Sequence, residues 1–198
     1  MAKIAFILLT HKDPKGLIAQ ARRLTDTGDY VSIHFDARAS DEDFALIYAA
    51  LRDNPGVTFA GRRLKCGWGE WSLVAASLLA VRAAVKAFPR ATHFYMLSGD
   101  CMPVKTAVYA HTFLDDEDVD YIENFDFFDS DWIKTGFKEE RLFYRFWFNE
   151  RTQSKLFYAS YEIQKRLGLT REVPRDIQVM IGSQWWCLTA RTLRAVLD

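Results

Sequence analysis

The stretch Ala91-Thr92-His93-Phe94-Tyr95-Met96-Leu97-Ser98-Gly99-Asp100-Cys101-Met102-Pro103-Val104-Lys105-Thr106 decides how the rest of the chain is read. Residues 93–97 form a nearly continuous apolar and aromatic run of strand length. Such a run is expected of a central strand covered on both faces, as in parallel sheets. It breaks at Ser98-Gly99-Asp100 and is closed by Pro103. In open α/β sheets, ligands bind outside the carboxyl ends of such strands. Small polar residues there let a ligand approach the backbone and offer a carboxylate; an ordinary polar turn has the same composition.

Toward the N-terminus the pattern repeats. Residues 3–10 read as a buried strand ending in Thr10-His11-Lys12-Asp13, and Pro14 opens a helix with Leu17, Ile18, Ala21 and Leu24 at helical spacing. Residues 30–35 are a second strand, ending in His34-Phe35-Asp36-Ala37-Arg38. A helix follows from Ser40, with Asp41, Glu42 and Asp43 in the first turn, where the macrodipole favours acids. Residues 57–60 are a short third strand, and 73–88 a long Ala- and Leu-rich helix with Ser72 as its predicted N-cap. The β-α-β-α-β-α-β order calls for a mostly parallel sheet with right-handed crossovers and helices on both faces.

Toward the C-terminus the reading loosens. Residues 107–114 are predicted helical, 115–118 are a solvated acidic run, and 121–123 a strand. Residues 125–149 mix aromatics, Asp and Arg without a period and read as a long loop region lining a cleft. Residues 154–167 form a helix closed by Gly168, 180–188 a strand, and 192–197 the start of another helix. The sequence stops inside that helix, so the expectation is one domain over 1–198, incomplete at its C-terminal end.

Composition narrows the function. Lys plus Arg and Asp plus Glu balance at 26 each, so no net field gathers nucleic acid or an anionic membrane. Cys66, Cys101 and Cys187 are an odd set without CxxC spacing, which argues against a disulfide framework or a zinc site and for a reducing compartment. The first apolar run, Ile4 to Leu9, is too short for a signal peptide or a membrane span. The expected protein is soluble and cytoplasmic.

If the sheet is parallel, Thr10-His11, His34-x-Asp36-x-Arg38 and Ser98-Gly99-Asp100 meet on one rim. Asp36 then sits where a carboxylate accepts hydrogen bonds from a ribose or base edge; a turn carboxylate fits equally. The first βα turn has neither GxGxxG nor GxxxxGK[ST], against dinucleotide and ATP cradles. Asp129-Ser130-Asp131 is a DxD among aromatics, read as a solvated loop. After Leu97 there is only Asp100, thin support for a hard cation that needs several oxygens. There is no GxSxG elbow and no partner for Cys101. Trp185 and Trp186 on a strand must face opposite ways, so one is core and the other, with Trp68 and Trp71, a stacking surface for sugar rings.

These residues give the chain a resemblance to the core-2/I-branching β-1,6-N-acetylglucosaminyltransferase and peptide xylosyltransferase family, glycosyltransferase family 14. The matching pieces run in the family's order: His11 ending the first strand; His34-Phe35-Asp36; Arg63 followed by Trp68-Gly69 and Ser72; Leu97-Ser98-Gly99 with Pro103-Val104-Lys105-Thr106; and Gly182-Ser183-Gln184-Trp185. Length and arrangement resemble the bacterial members, which lack a membrane anchor.

The resemblance implies an A-type glycosyltransferase fold, Rossmann-like, with a UDP-sugar donor, inversion at the anomeric carbon and no metal or other cofactor. It assigns His11, Asp36 and Arg38 to the uridine site and Arg63 and Trp68 to the donor sugar and diphosphate; the strand-end reading places Ser98, Gly99 and Asp100 on the donor rim. Gln184, Trp185 and Glu123 fall on the sugar or acceptor side. The family usually has Asp where this chain has Cys101, and the acid here is Asp100. Its general base, a Glu in a Pro-Asp-Glu motif, and its diphosphate-neutralising Arg/Lys pair lie beyond Asp198. The expected function is therefore inverting transfer of GlcNAc or xylose from UDP to a hydroxyl of a glycan or other acceptor, with residues 1–198 alone inactive or nearly so. A nucleotide- or carbohydrate-binding module without catalysis is the alternative, and a nucleotidyltransferase the third reading. Asp36→Ala is expected to abolish stabilisation by UDP without unfolding the chain.

Overall fold

The structure is a computed structural model that describes residues 1–116, 118–131 and 136–197. In chain order the elements are β1 (Ile4–Thr10), α1 (Pro14–Thr25), β2 (Tyr30–Phe35), α2 (Asp41–Leu51), β3 (Val57–Phe59), α3 (Trp71–Ala87), β4 (His93–Ser98), α4 (Ala107–Asp116), β5 (Tyr121–Asp126), α5 (Glu140–Phe143), α6 (Ser154–Leu167), β6 (Met180–Thr189) and α7 (Ala190–Leu197). The strands form one mixed sheet in the order β3-β2-β1-β4-β6-β5. β1 runs parallel to β2 and β4, β2 parallel to β3, and β6 antiparallel to β4. The α/β class with a mostly parallel sheet and surrounding helices is as the sequence predicts.

The apolar run of β1 shows why. Its alternate residues Ile4, Phe6 and Leu8 join a core with Leu17, Leu24, Ile47 and Leu51 of α1 and α2, whereas Ala5 and Ile7 join a second core with Ala80, Val81 and Ala84 of α3 and Leu193 of α7. A strand whose two faces are both buried cannot alternate in polarity, so it reads as continuous. Ala76, Ala80 and Ala84 recur every fourth residue, fully buried, and keep α3 close to the sheet. There the Ser32 hydroxyl donates to the Ala80 carbonyl at 2.7 Å.

Local chemistry sets the helix starts. Asp13 takes φ 49°, and its carboxylate accepts the Gly16 N–H at 3.0 Å, with Pro14 as the first helical residue. Ser40 Oγ accepts the Asp43 N–H at 3.0 Å above the acidic first turn of α2. At α3 the sequence reading is corrected: the cap is Glu70, not Ser72. Ser72 Oγ instead accepts the Gly67 N–H at 2.9 Å, drawn into the turn before the helix.

The residues divide into two compact units, one of Met1–Ile122 with Gln184–Asp198 and one of Glu123–Ser183. In the second unit the described residues of 127–149 are loop apart from the four-residue α5, as the sequence reading has it; residues 132–135 lie outside the described residues. Phe137, Phe146, Phe157 and Tyr161 pack ring on ring with centroids 4.8–6.4 Å apart, a small aromatic core built on α6. Gly168 closes α6 with φ 62°, the left-handed conformation that favours glycine.

Candidate functional site

Chain order leaves β1 toward β2 and β3 on one side and toward β4 on the other, so β1 and β4 flank the topological switch point, the usual crevice of an open α/β sheet. The register places Leu9 beside Ser98 and Thr10 beside Phe35, which brings the carboxyl ends of β1, β2 and β4 to one rim. His11, Asp36–Arg38 and Ser98–Asp100 are gathered there. β6 runs against β4, so Gln184 and Trp185, which precede the paired Cys187, lie toward the same rim.

The β4 corner is tightly made. Any Cβ on Gly99 would lie 2.8 Å from Thr10 Cβ and closer still to its hydroxyl, so only glycine fits. Gln20, buried on α1, donates from Nε2 to the carbonyls of Ser98 (3.1 Å) and Cys101, fixing both ends of the turn. Sequence reasoning missed Gln20; a polar residue on the inward face of a helix is the only signal it leaves. Cys101 turns inward, its Sγ 3.1 Å from Ser98 Oγ, while exposed Asp100 meets Lys12 Nζ at 3.1 Å. The acid presented on the rim is therefore Asp100.

The β2 corner is built differently. The Asp36 carboxylate is 8% exposed and accepts the Arg38 N–H at 2.7 Å and the Cys66 N–H at 3.2 Å. These bonds, of the kind a turn carboxylate makes, tie the loop after β3 to the loop after β2. Arg63 makes the same join. Its guanidinium donates to the carbonyls of Phe35 (3.2 Å), Asp36 (2.9 Å) and Ala39 (2.7 Å) and to the Asp41 carboxylate (2.6 Å). It also lies 4.8 Å over the Phe44 ring. With four such bonds made, Arg63 is a clamp before it is a diphosphate ligand. His34 Nε2 accepts the Leu64 N–H at 3.0 Å, and burial holds its pKa below the ordinary value, so the ring is neutral. Burial and the neighbouring Asp36 push the Cys66 thiol up to about 11, too high for a nucleophile at neutral pH. Cys187, on β6, is pushed to about 12 by burial.

What this corner presents outward is Arg38, Lys65 and Trp68, all exposed, with Trp71 on the first turn of α3. On β6 the two tryptophans do face opposite ways. Trp186 packs against the α3 and α7 core, whereas Trp185 is 41% exposed. Gln184 is also exposed. Glu123 belongs to the second unit, exposed on β5, with its carbonyl packed against Gly182. Among the described residues no three His, Cys, Asp or Glu side chains gather as a metal site, the Asp129–Asp131 pair included, and no helix is long and apolar enough to cross a membrane.

Comparison with known proteins identifies a family. The Core-2/I-Branching enzyme family model matches residues 4–198. Among solved structures, the mannosyltransferase Ktr4p from S. cerevisiae matches with a TM-score of 0.36 and 11% identity, covering 98% of this chain and 57% of that one. The same enzyme in complex with GDP matches with a TM-score of 0.36 and 12% identity, over 98% and 58%. The chain thus spans somewhat more than half the length of those structures. No curated protein matches. The family match runs through every strand end on the rim, and the chain belongs to the Core-2/I-branching enzyme family.

Proposed function

We propose that this chain carries the donor site of a glycosyltransferase that moves GlcNAc or xylose from UDP to a hydroxyl of a glycan or other acceptor, with inversion and without a metal ion. The observation that carries the reading is the rim at the β1/β4 switch point, made of residues that the family match covers. In this reading exposed His11 and Arg38, beside the backbone loop that Asp36 holds, receive the uridine. Ser98, Gly99 and Asp100 edge the crevice where the diphosphate and sugar lie. Trp68 and Trp185 offer aromatic faces to sugar rings, whose C–H faces are apolar.

The chemistry needs a carboxylate to take the acceptor proton as the anomeric carbon is attacked, and positive charge on the departing diphosphate. Arg38, Lys65 and Lys12 are the exposed cations on the rim; Arg63 is spent on carbonyls. Neither rim carboxylate is poised as a base. Asp36 holds two backbone N–H groups, and Asp100 faces Lys12. We therefore assign neither of the two as the base. Work in the cytoplasm fits the three free thiols.

A thermal-shift panel of UDP, UDP-GlcNAc, UDP-xylose, GDP and CDP, each with and without EDTA, tests the reading. Stabilisation by the uridine compounds that survives EDTA is expected. Stabilisation by GDP or CDP alone, or only with metal, overturns it.

A further inference from the structure

One cavity lies away from the crevice polar groups. It has a volume of about 520 Å³, runs between β4 and α4, and is walled by Phe6, Tyr95, Tyr109, Ala110, Phe113 and Tyr121. That volume falls in the range of small-molecule sites. Tyr95 is 39% exposed although β4 is an inner strand of the sheet.

The void does not come from a loosely set helix. α4 is pinned on its other side by buried His111, whose Nε2 lies 2.8 Å from Asp29 Oδ2, itself buried and accepting the Ile4 N–H at 3.0 Å. The α4 wall of the cavity is therefore held in place. Two of the cavity's wall residues, Leu97 and Met102, flank the rim turn Ser98–Cys101 in the chain. Lys105 is the sole charged residue in its lining, without any acid. Val104, 96% exposed, stands at the entrance as an apolar step.

We propose that this cavity takes the apolar portion, an aryl group or short alkyl chain, of a small hydroxyl-bearing amphiphile that serves as acceptor, with Lys105 favouring an anionic head over a cationic one. This rests on the glycosyltransferase reading above. The acceptor hydroxyl would then lie toward Ser98–Asp100 while its tail lies along β4.

Titration of the full chain with anilinonaphthalene sulfonate, an anionic aromatic probe, tests this. Saturable fluorescence is expected, displaced by octyl sulfate more readily than by octyltrimethylammonium. Ala110→Phe, which fills the cavity, should weaken the probe about tenfold, and Lys105→Glu should reverse the head-group preference even if Ala110→Phe fails to fold. Leu167→Ser, at an exposed apolar position on α6, should leave binding unchanged. Insensitivity to both cavity variants, loss on Leu167→Ser, or a signal that grows with protein concentration as a second copy docks would each overturn the proposal. The UDP shift is read on the same samples. A normal probe site without a UDP shift sinks the donor reading and, with it, the acceptor role; a UDP shift without a saturable probe site sinks the cavity proposal alone.

Discussion

The ends of β2 and β4 lie on one rim of one sheet, and both carry an aspartate where a ligand is expected. At β2 the polar side chains are spent inward: Asp36, Arg63 and His34 together hold the 60–66 loop and the turn after β2, leaving Arg38, Lys65 and Trp68 to face out. At β4 the roles are reversed. The backbone is fixed from behind by Gln20 and by contact with Thr10, and Asp100 is left exposed. One corner is held by its own charged groups and the other by shape, so substitutions at the two should separate stability from binding.

Arg63→Met should have the largest effect. It strips donors from three backbone carbonyls around a half-buried site, and buried acceptors left unmade cost on the order of 1 kcal/mol or more each. A loss of about 3 kcal/mol is expected in chemical denaturation. Arg63→Lys should recover little of it, because one ammonium cannot reproduce a planar fork that bonds to four acceptors. Full stability in Arg63→Met together with loss of the UDP shift would return Arg63 to the diphosphate and erase the contrast.

Gly99→Ala probes the corner held by shape. The new methyl meets Thr10, itself 7% exposed in the strand beside it, and overpacking of this kind costs about 1–3 kcal/mol. Adding Thr10→Ala should relieve part of the loss, since it removes the hydroxyl but leaves a Cβ 2.8 Å away. An undisturbed melting temperature in Gly99→Ala would mean that the corner gives way easily.

The contrast also explains what could be read from the sequence. Strand runs such as Ile4 to Leu9 and 93–97 revealed the sheet because burial on two faces removes alternation, and the strand ends then fell on a common rim. The fine division of labour was hidden. Asp36 looks the same in sequence whether its oxygens face a ribose or the N–H of Cys66, thirty positions away. Hence the expectation that Asp36→Ala leaves the fold unharmed is revised: it should also lower stability by about 1–3 kcal/mol through two orphaned N–H groups. The aromatics of 125–149 hid their packing for a related reason. They lie on loop, as their lack of a period implies, but the partners of Phe137, namely Phe157 and Tyr161, lie on a helix further along the chain.

A smaller effect should appear with pH. In the folded chain His34 has its pKa below the ordinary 6.5, because burial disfavours the cation and a protonated Nε2 would confront the Leu64 N–H. The unfolded chain thus binds the proton more readily. Stability from this group is fully present above about pH 6.5 and falls as pH drops from there toward the folded pKa. His93 is shifted the same way by burial and adds to the slope. His34→Gln, which keeps an acceptor toward Leu64, should flatten part of the decline between pH 7 and 5; an unchanged slope would assign the decline to His93 and other groups.

The smallest stability change, and the sharpest test of the contrast, belongs to Asp100. Its side chain and that of Lys12 are 66% and 57% exposed, and such pairs contribute about 0–1 kcal/mol. Asp100→Asn should therefore move the midpoint of denaturation by no more than roughly 0.5 kcal/mol. It should nonetheless change the UDP shift, because it frees Lys12 Nζ beside the crevice and removes a negative charge from the path of a diphosphate. The expected sign is stronger stabilisation by UDP in Asp100→Asn and weaker stabilisation in Lys12→Ala. Opposite signs would mean that Asp100 accepts a hydrogen bond from the ligand, as the carboxylate of this corner would if it grips the sugar rather than shielding Lys12. No response in either variant would place the ligand at the β2 end alone.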